Sequence, residues 1–478
     1  MRKFLVAAAM GAGLLSSALG QNLPELGDVS SSVFSPQMER RIGEEAYREI
    51  RSKDPKFLDD PEITAYVQEL GNRLLASSES RQPFEFFMIQ DPTINAFAMP
   101  GGFVGVHTGL LLAAQSESEV ASVLAHEISH VTQHHIARMV SKESQLSALG
   151  MAAMAVALIA ARSRPDMAQA AIASATAGSI QAQLNYSRDF EREADRVGFQ
   201  LLRDAGFDVH AMPAFFGRLQ KSGRLYDNSA PAYLLTHPLT TERMADMENR
   251  AAPVPYKQMP DSLDFQLVRG KLRAEQGTPR DAVVEAEAQL KDRRYASEAG
   301  ARYALVAALM RARNYARAER ELTVLRTLDP QQPMIELLAA RLKTARGDRN
   351  GARDILQAAI VSRPDYRPLG YALVECLQGL GKHTEALARL QDLARDNPRD
   401  VQLYRMRAQS FAATGQNLLQ HQALAEQYYL MGTLPAAIEQ LQLAEKSGQG
   451  DFYQLSALEA RMRQFRAELD ERAKKKEN

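Results

Sequence analysis

Hydrophobic positions fall into three regimes along this chain. The first is a short run, Phe4 to Leu15, which follows Arg2 and Lys3 and ends in the small residues Ala18-Leu19-Gly20. A basic start, an apolar centre too short to span a bilayer comfortably and a small-x-small end have the form of a secretory signal peptide, here residues 1–20. The second regime runs to about residue 255. Val120, Val123, Leu124, Ile128 and Val131 recur at three- and four-residue steps, the spacing of one helix face. Ser116 and Glu119 form a capping box that starts this helix. Just before it, Phe103, Val104 and Val106 favour a strand. After it, Leu146 to Ala161 is Ala-rich and apolar but shorter than the roughly 20 residues of a spanning helix. It reads as a packed or interfacial helix. A membrane-dipping segment, or a lid formed by 146–185, is the sharper alternative.

The third regime is periodic at a longer step. Gly347, Gly381 and Gly415 are 34 residues apart, as are Pro330, Pro364 and Pro398, and Ala318, Ala352 and Ala386 keep the same step. This is the period of tetratricopeptide repeats, each a pair of antiparallel helices. Glycine lets the chain turn within a pair, alanine lets the two helices approach, and proline ends the pair. Gly277 with Ala282 extends the pattern upstream and Gly432 with Ala437 downstream. Position 313 is Arg where glycine is expected, and Gln420 stands where the alanine is expected. Stacked repeats of this kind present a concave surface that binds peptides or partner proteins. The chemistry must therefore come from residues before about 250.

Composition narrows the function classes. The chain has 478 residues, with 58 Lys+Arg against 58 Asp+Glu, so it lacks the basic excess of a nucleic-acid binder. Its hydrophobic fraction of 45% is that of an ordinary globular protein. A single cysteine, Cys376, excludes an intramolecular disulfide framework.

The chemistry sits on two segments. Within the capped helix lies His126-Glu127-Ile128-Ser129-His130, an H-E-x-x-H motif. A spacing of four puts both imidazoles on one face, one turn apart, where they can share a zinc ion. Glu127 lies beside them, able to take a proton from a water that the metal polarises. His134 is eight residues beyond His126, about 12 Å along a continuous helix, so His134 and His135 read as polar or packing residues. Downstream, Ser187 to Gly198 looks helical up to Gly198. Glu191 and Asp195 share a face there. Glu191 can coordinate the metal, and Asp195 can accept a hydrogen bond from a ligand histidine's second nitrogen. Glu193 points elsewhere. Taken alone this stretch is a charged surface helix. His237 precedes Pro238 and so belongs to an extended segment. Near a three-ligand site it could stabilise the oxyanion, or occupy the open metal position and hold the enzyme inactive. Arg243 and Arg188 could contact substrate or acidic neighbours. The strand at 102–107 is expected to line the cleft, since extended substrates often add to an edge strand.

H-E-x-x-H followed some sixty residues later by Ser187-Arg188-Asp189-Phe190-Glu191-Arg192-Glu193-Ala194-Asp195 resembles the HtpX and CAAX prenyl-protease type of zinc metallopeptidase. The stretch Asn95-Ala96-Phe97-Ala98-Met99-Pro100-Gly101-Gly102 resembles the strand that precedes the zinc helix in that family. With its export signal and repeats, the chain is similar to that family's periplasmic β-barrel assembly-enhancing branch. The resemblance implies a mainly α fold. An α+β gluzincin-type metallopeptidase domain with a small β-sheet would span 21–255, and an α-solenoid of tetratricopeptide repeats 262–478. It implies one zinc per chain held by His126, His130 and Glu191, with Glu127 as general base and Asp195 behind the ligands. It implies a periplasmic endopeptidase acting on unfolded or misassembled outer-membrane proteins, with the repeats docking on the β-barrel assembly machinery. No nucleic acid is expected, and contact with the membrane would be peripheral. An adaptor or chaperone with latent proteolysis, and an intramembrane protease in which Leu146–Ala161 spans, are the competing readings.

Overall fold

A computed structural model describes residues 35–141, 188–225, 231–257 and 259–477, with 156, 159, 160 and 163 as isolated positions. The signal-peptide reading of 1–20 lies outside the described residues, and so, but for those four positions, does the lid or membrane reading of 146–185. Among the described residues no helix is long and apolar enough to cross a membrane.

The first part is a four-stranded sheet between helices. Helix α1 (Pro36–Lys53) and strand β1 (Phe57–Leu58) precede α2 (Pro61–Leu75), whose N-cap Asp60 accepts hydrogen bonds from the N–H groups of Glu62 and Ile63. Strands β2 (Glu85–Ile89), β3 (Ala96–Met99) and β4 (Phe103–His107) follow, and the sheet order is β1-β2-β4-β3. Strands β2 and β4 are parallel, with Phe86 opposite Val104; β3 and β4 are antiparallel, with Phe97 opposite Gly105. Alternation sends Phe86, Met88, Val104 and Val106 into the core beneath α2, and Phe87, Ile89, Phe97 and Phe103 into a second core that includes Ile42 and Tyr47 of α1. Residues 103–107 thus form the expected strand, but not at an edge. Strand β4 is paired on both sides and buried along its whole length; the edge strands are β1 and β3, and β3 is buried along its length as well.

Strand β4 runs into α3 (Thr108–Ala113) and then α4 (Glu117–Thr132), the central helix, buried at every position from Glu117 to Val131. Ser116 caps it as expected, accepting from the Glu119 N–H. The Glu119 carboxylate reaches back to the Gln115 N–H and is also gripped by both terminal nitrogens of Arg218. Helices α5 (His135–Ser141), α6 (Arg188–Asp204), α7 (Ala211–Leu225), α8 (Ala232–Thr236) and α9 (Thr241–Ala251) complete this part. Helix α6 does not stop at Gly198 but runs six residues past it. Gly198 is instead a contact point: a Cβ there would lie 3.1 Å from the backbone of Ala125 and His126. Its absence lets α6 lie close against α4.

The second part is a stack of helical hairpins, from α10 (Leu263–Ala274) and α11 (Pro279–Lys291) through α12 (Glu298–Arg311), α13 (Tyr315–Leu328), α14 (Pro333–Ala345), α15 (Arg349–Ser362), α16 (Arg367–Gly379), α17 (His383–Asp396), α18 (Val401–Ala413), α19 (Asn417–Leu430) and α20 (Leu434–Lys446) to α21 (Phe452–Glu477). The turns within successive pairs contain Gly277, Gly347, Gly381 and Gly415, all with positive φ. Arg313 takes the same left-handed conformation at φ 57°, at a cost on the order of 1 kcal/mol. Ala318, Ala352 and Ala386 are fully buried between paired helices. The helical step persists through Gly415 despite Gln420. Gly432 turns the chain between α19 and α20, half a period on, and so is not a turn within a pair.

The two parts share one core. Ile63, Tyr66 and Leu70 of α2 pack in the same cluster as Phe265, Tyr303 and Leu338, from the first helices of the first three pairs. Glu62 of α2 is fully buried and pairs with Lys271 of α10 and, at 2.7 Å, with Arg341 of α14. Farther along, Arg399 pairs with Glu44 of α1, and Arg48 lies 6.0 Å from the Tyr429 ring. The repeat face formed by these first helices is therefore covered in part by the chain's own α2.

Candidate metal centre

Helix α4 carries His126 and His130 on one face, their Nε2 atoms 3.0 Å apart. Helix α6 brings Glu191 beside them, its Oε2 3.4 Å from His126 Nε2 and its Oε1 3.5 Å from His130 Nε2. Helix α8 ends at His237, whose Nδ1 lies 3.3 Å from His126 Nε2 and 3.2 Å from Glu191 Oε1. One ligand atom from each of these four residues lies within 4.8 Å of the others, and all four residues are buried. Imidazole nitrogens and a carboxylate oxygen are the donor set of zinc and its neighbours. So many converging lone pairs, shielded from water, fit a single divalent cation.

A second layer holds this set. His126 Nδ1 is 3.1 Å from Asp195 Oδ1. Arg243, on α9, grips Asp195 through Nε at 2.7 Å and Nη2 at 2.8 Å, and its Nη1 is 3.0 Å from Glu191 Oε2. It therefore serves acidic neighbours. Arg188 is exposed at the start of α6. Burial alone would lower the His126 pKa, but hydrogen bonds donated to Asp195 and Glu191 carry it up to about 9. Burial would raise the Glu191 carboxyl, yet His237 and Arg243 hold it well below the usual carboxylate range. The same opposition lowers Asp195, where Arg243 and His126 outweigh burial.

Glu127 differs from these. Both its carboxylate oxygens are buried without a hydrogen bond among the described residues, and His237 Nε2 stands 3.4 Å from its Oε1. Tyr233 stacks on the His237 ring at 4.5 Å and 24°, and its N–H donates to the Ile94 carbonyl, tying α8 to the segment before β3. Burial, then Glu127, push the Tyr233 phenol well above its ordinary pKa. The sequence reading missed Tyr233, whose only signal was a place four residues before His237.

The remaining histidines divide. His134 turns the chain at φ +51° and its Nδ1 pairs with Glu39 at 2.9 Å. His135 is brought to the centre: it is fully buried, and its Nδ1 is 2.9 Å from His130 Nδ1. Burial lowers its pKa to about 4, which keeps the ring neutral. His107 contacts Thr93, His210 contacts Asp208 and His421 contacts Gln440, none of them in the cluster.

A buried helix presenting two imidazoles one turn apart, a carboxylate aligned from α6 and a buried glutamate beside them define a metallopeptidase, here joined to a tetratricopeptide-type solenoid. Residues 61–251 match Peptidase family M48, and residues 343–410 match the tetratricopeptide repeat. The chain is 44% identical over 278 residues to the putative beta-barrel assembly-enhancing protease of Vibrio cholerae, covering 57% of this chain and 56% of that one. It is 32% identical over 488 residues to the beta-barrel assembly-enhancing protease of Escherichia coli, covering 99% of this chain and 98% of that one. It is also 32% identical over 218 residues to mitochondrial metalloendopeptidase OMA1 of Schizosaccharomyces pombe, covering 45% and 61%. The chain belongs to peptidase family M48.

Proposed function

We propose that this chain is an exported zinc endopeptidase described in a closed state. His126, His130 and Glu191 hold the ion, Glu127 is the general base, and Asp195 orients His126. The observation that carries the reading is the four-residue cluster of ligand atoms within 4.8 Å, beside a buried glutamate that makes no hydrogen bond among the described residues. Zinc bound there supplies Lewis-acid polarisation of the scissile carbonyl and of the attacking water. Glu127 accepts the water's proton and delivers it to the leaving amine. Arg243 fixes Asp195 and Glu191, so neither must reorganise during reaction. Strand β3, unpaired with another strand on one side but buried in this closed state, is where an extended substrate would add once the site opens.

His237 sits where substrate needs to be. Its ring is fully buried, with Nδ1 toward the ligand set and Nε2 toward Glu127, and Tyr233 holds it there. We take it as a fourth ligand that keeps the enzyme latent. The similarity to β-barrel assembly-enhancing proteases supports unfolded or misassembled outer-membrane proteins as substrates, quality control of envelope proteins as the role, and the periplasm as the location. We also read residues 1–20 as the signal, 21–255 as the peptidase unit and 262–478 as the repeat unit, the last two in keeping with the family matches over 61–251 and 343–410. Docking on the β-barrel assembly machinery would use repeat surface that α2 leaves open. One such surface is a groove of about 570 Å³ between α13, α14 and α15, floored by Leu322, Leu342 and Ile355. The closed site also favours a second reading, an adaptor with rare cleavage.

The test is digestion of an unfolded outer-membrane protein by the mature chain beside Glu127→Gln and His237→Ala. The protease reading expects cleavage by wild type, loss of at least about 100-fold in Glu127→Gln, and faster cleavage in His237→Ala. Slower cleavage in His237→Ala would make this residue an oxyanion donor instead. If Glu127→Gln retained full function in the cell, the adaptor reading would replace the protease.

A further inference from the structure

The two histidines of α4 are held from behind in different ways. His126 meets a carboxylate directly, since its Nδ1 faces Asp195. His130 Nδ1 instead faces another imidazole, His135 Nδ1, at 2.9 Å. The far nitrogen of that ring, His135 Nε2, lies 3.2 Å from Glu193 Oε2, and Arg138 Nη1 holds the same oxygen at 2.9 Å. Phe190, next to Glu191, stacks on His135 at 4.7 Å and 18°, so the ring cannot turn without disturbing α6.

We propose that His135 and Glu193 are positioning residues that fix the tautomer and direction of His130 as a metal ligand. The proton count is self-consistent along the chain. A His130 that coordinates through Nε2 carries its proton on Nδ1 and donates it to His135 Nδ1. His135 then carries its own proton on Nε2 and donates it to Glu193. Only this order gives each short contact one donor and one acceptor. Each histidine of α4 thus ends on a carboxylate from α6: His126 on Asp195, and His130, through one ring, on Glu193. The second connection depends on the end of α4 at Thr132 and the left-handed His134, which fold His135 back toward His130.

The inference rests on the metal reading above, and zinc affinity of the mature full-length chain, measured by chelator competition, separates the two. The wild type is expected to hold one zinc. His135→Phe keeps the stack on Phe190 but removes both hydrogen bonds, and should weaken zinc binding by about 10- to 100-fold, with little change in thermal unfolding of the metal-free protein. His135→Gln can still accept from His130 and donate to Glu193, and should return affinity to within about threefold of wild type. Equal affinity of His135→Phe and wild type overturns the relay, as does a His135→Gln that falls as far as His135→Phe. Should His135→Phe not fold, Glu193→Gln, at a partly exposed position, is expected to lose several-fold in affinity, and no loss there also overturns the relay. A wild type that takes up no zinc overturns the metal reading and the relay with it.

Discussion

At the scale of the residue, the centre shows how burial and pairing oppose each other. Four ionisable side chains, Glu191, Asp195, Arg243 and His126, are nearly or fully removed from water. Each would favour its neutral form if it were alone. Arg243 resolves this because its planar fork meets Asp195 with two bonds and Glu191 with a third nitrogen, a geometry that lysine cannot copy. Asp91 is a milder case. It accepts from Lys56 at 2.6 Å and from the Thr93 N–H and hydroxyl. Burial would raise its pKa, but these bonds bring it down to about 2. A folded-state pKa below the unfolded value means stability that is present above about pH 4 and is lost as pH falls toward 2. Lys56 is half-exposed, so solvent screening leaves on the order of 1 kcal/mol. Urea unfolding at pH 6 and pH 3 should show Asp91→Asn less stable than wild type at pH 6, with the gap narrowing at pH 3.

At the scale of the element, the centre depends on how closely α6 lies on α4. Gly198 sets that distance, and its missing side chain matters more than its helix propensity. Gly198→Val places branched methyls against the backbone of Ala125 and His126. It should cost about 1–3 kcal/mol by overpacking and also move Glu191 away from the histidines. Zinc titration is expected to show weaker binding in Gly198→Val, and unchanged binding would mean that α6 can shift without loss of the ligand geometry. The same helix shows a limit of reading glycine from sequence. Gly198 looked like a helix end because glycine often follows one. The distinction between a terminal glycine and a contact glycine requires knowing what lies opposite.

At the scale of the whole molecule, the peptidase part and the repeats behave as one body in their packing. A single hydrophobic cluster runs from β2 and β4 through α2 into α14, and Glu62 is buried at the junction with Lys271 and Arg341. Without Glu62, Lys271 would keep its pair with Asp60 and Arg341 is partly exposed, so the loss is about 1–3 kcal/mol, the range for hydrogen bonds to a charged group. Glu62→Leu should therefore loosen α10 and α14 from α2. Wild type is expected to unfold in one transition, and the variant in two, with faster proteolytic cutting between α9 and α10. A single transition in Glu62→Leu would show that the apolar contacts suffice.

The helix carrying His126 and His130, and the placement of Glu191 and Asp195 on one face, were legible in the sequence because i,i+4 geometry is local to a helix. The repeat was legible because glycine, alanine and proline each meet a steric demand that recurs every 34 residues. Tertiary structure alone decided that His237 reaches His126 and Glu191, that His135 folds back onto His130, that β4 lies inside the sheet and β3 at an edge, and that α2 covers part of the repeat face. These are meetings between segments distant along the chain, or across a turn whose direction one left-handed residue sets. No periodicity records them, because they follow from how buried surfaces fit together.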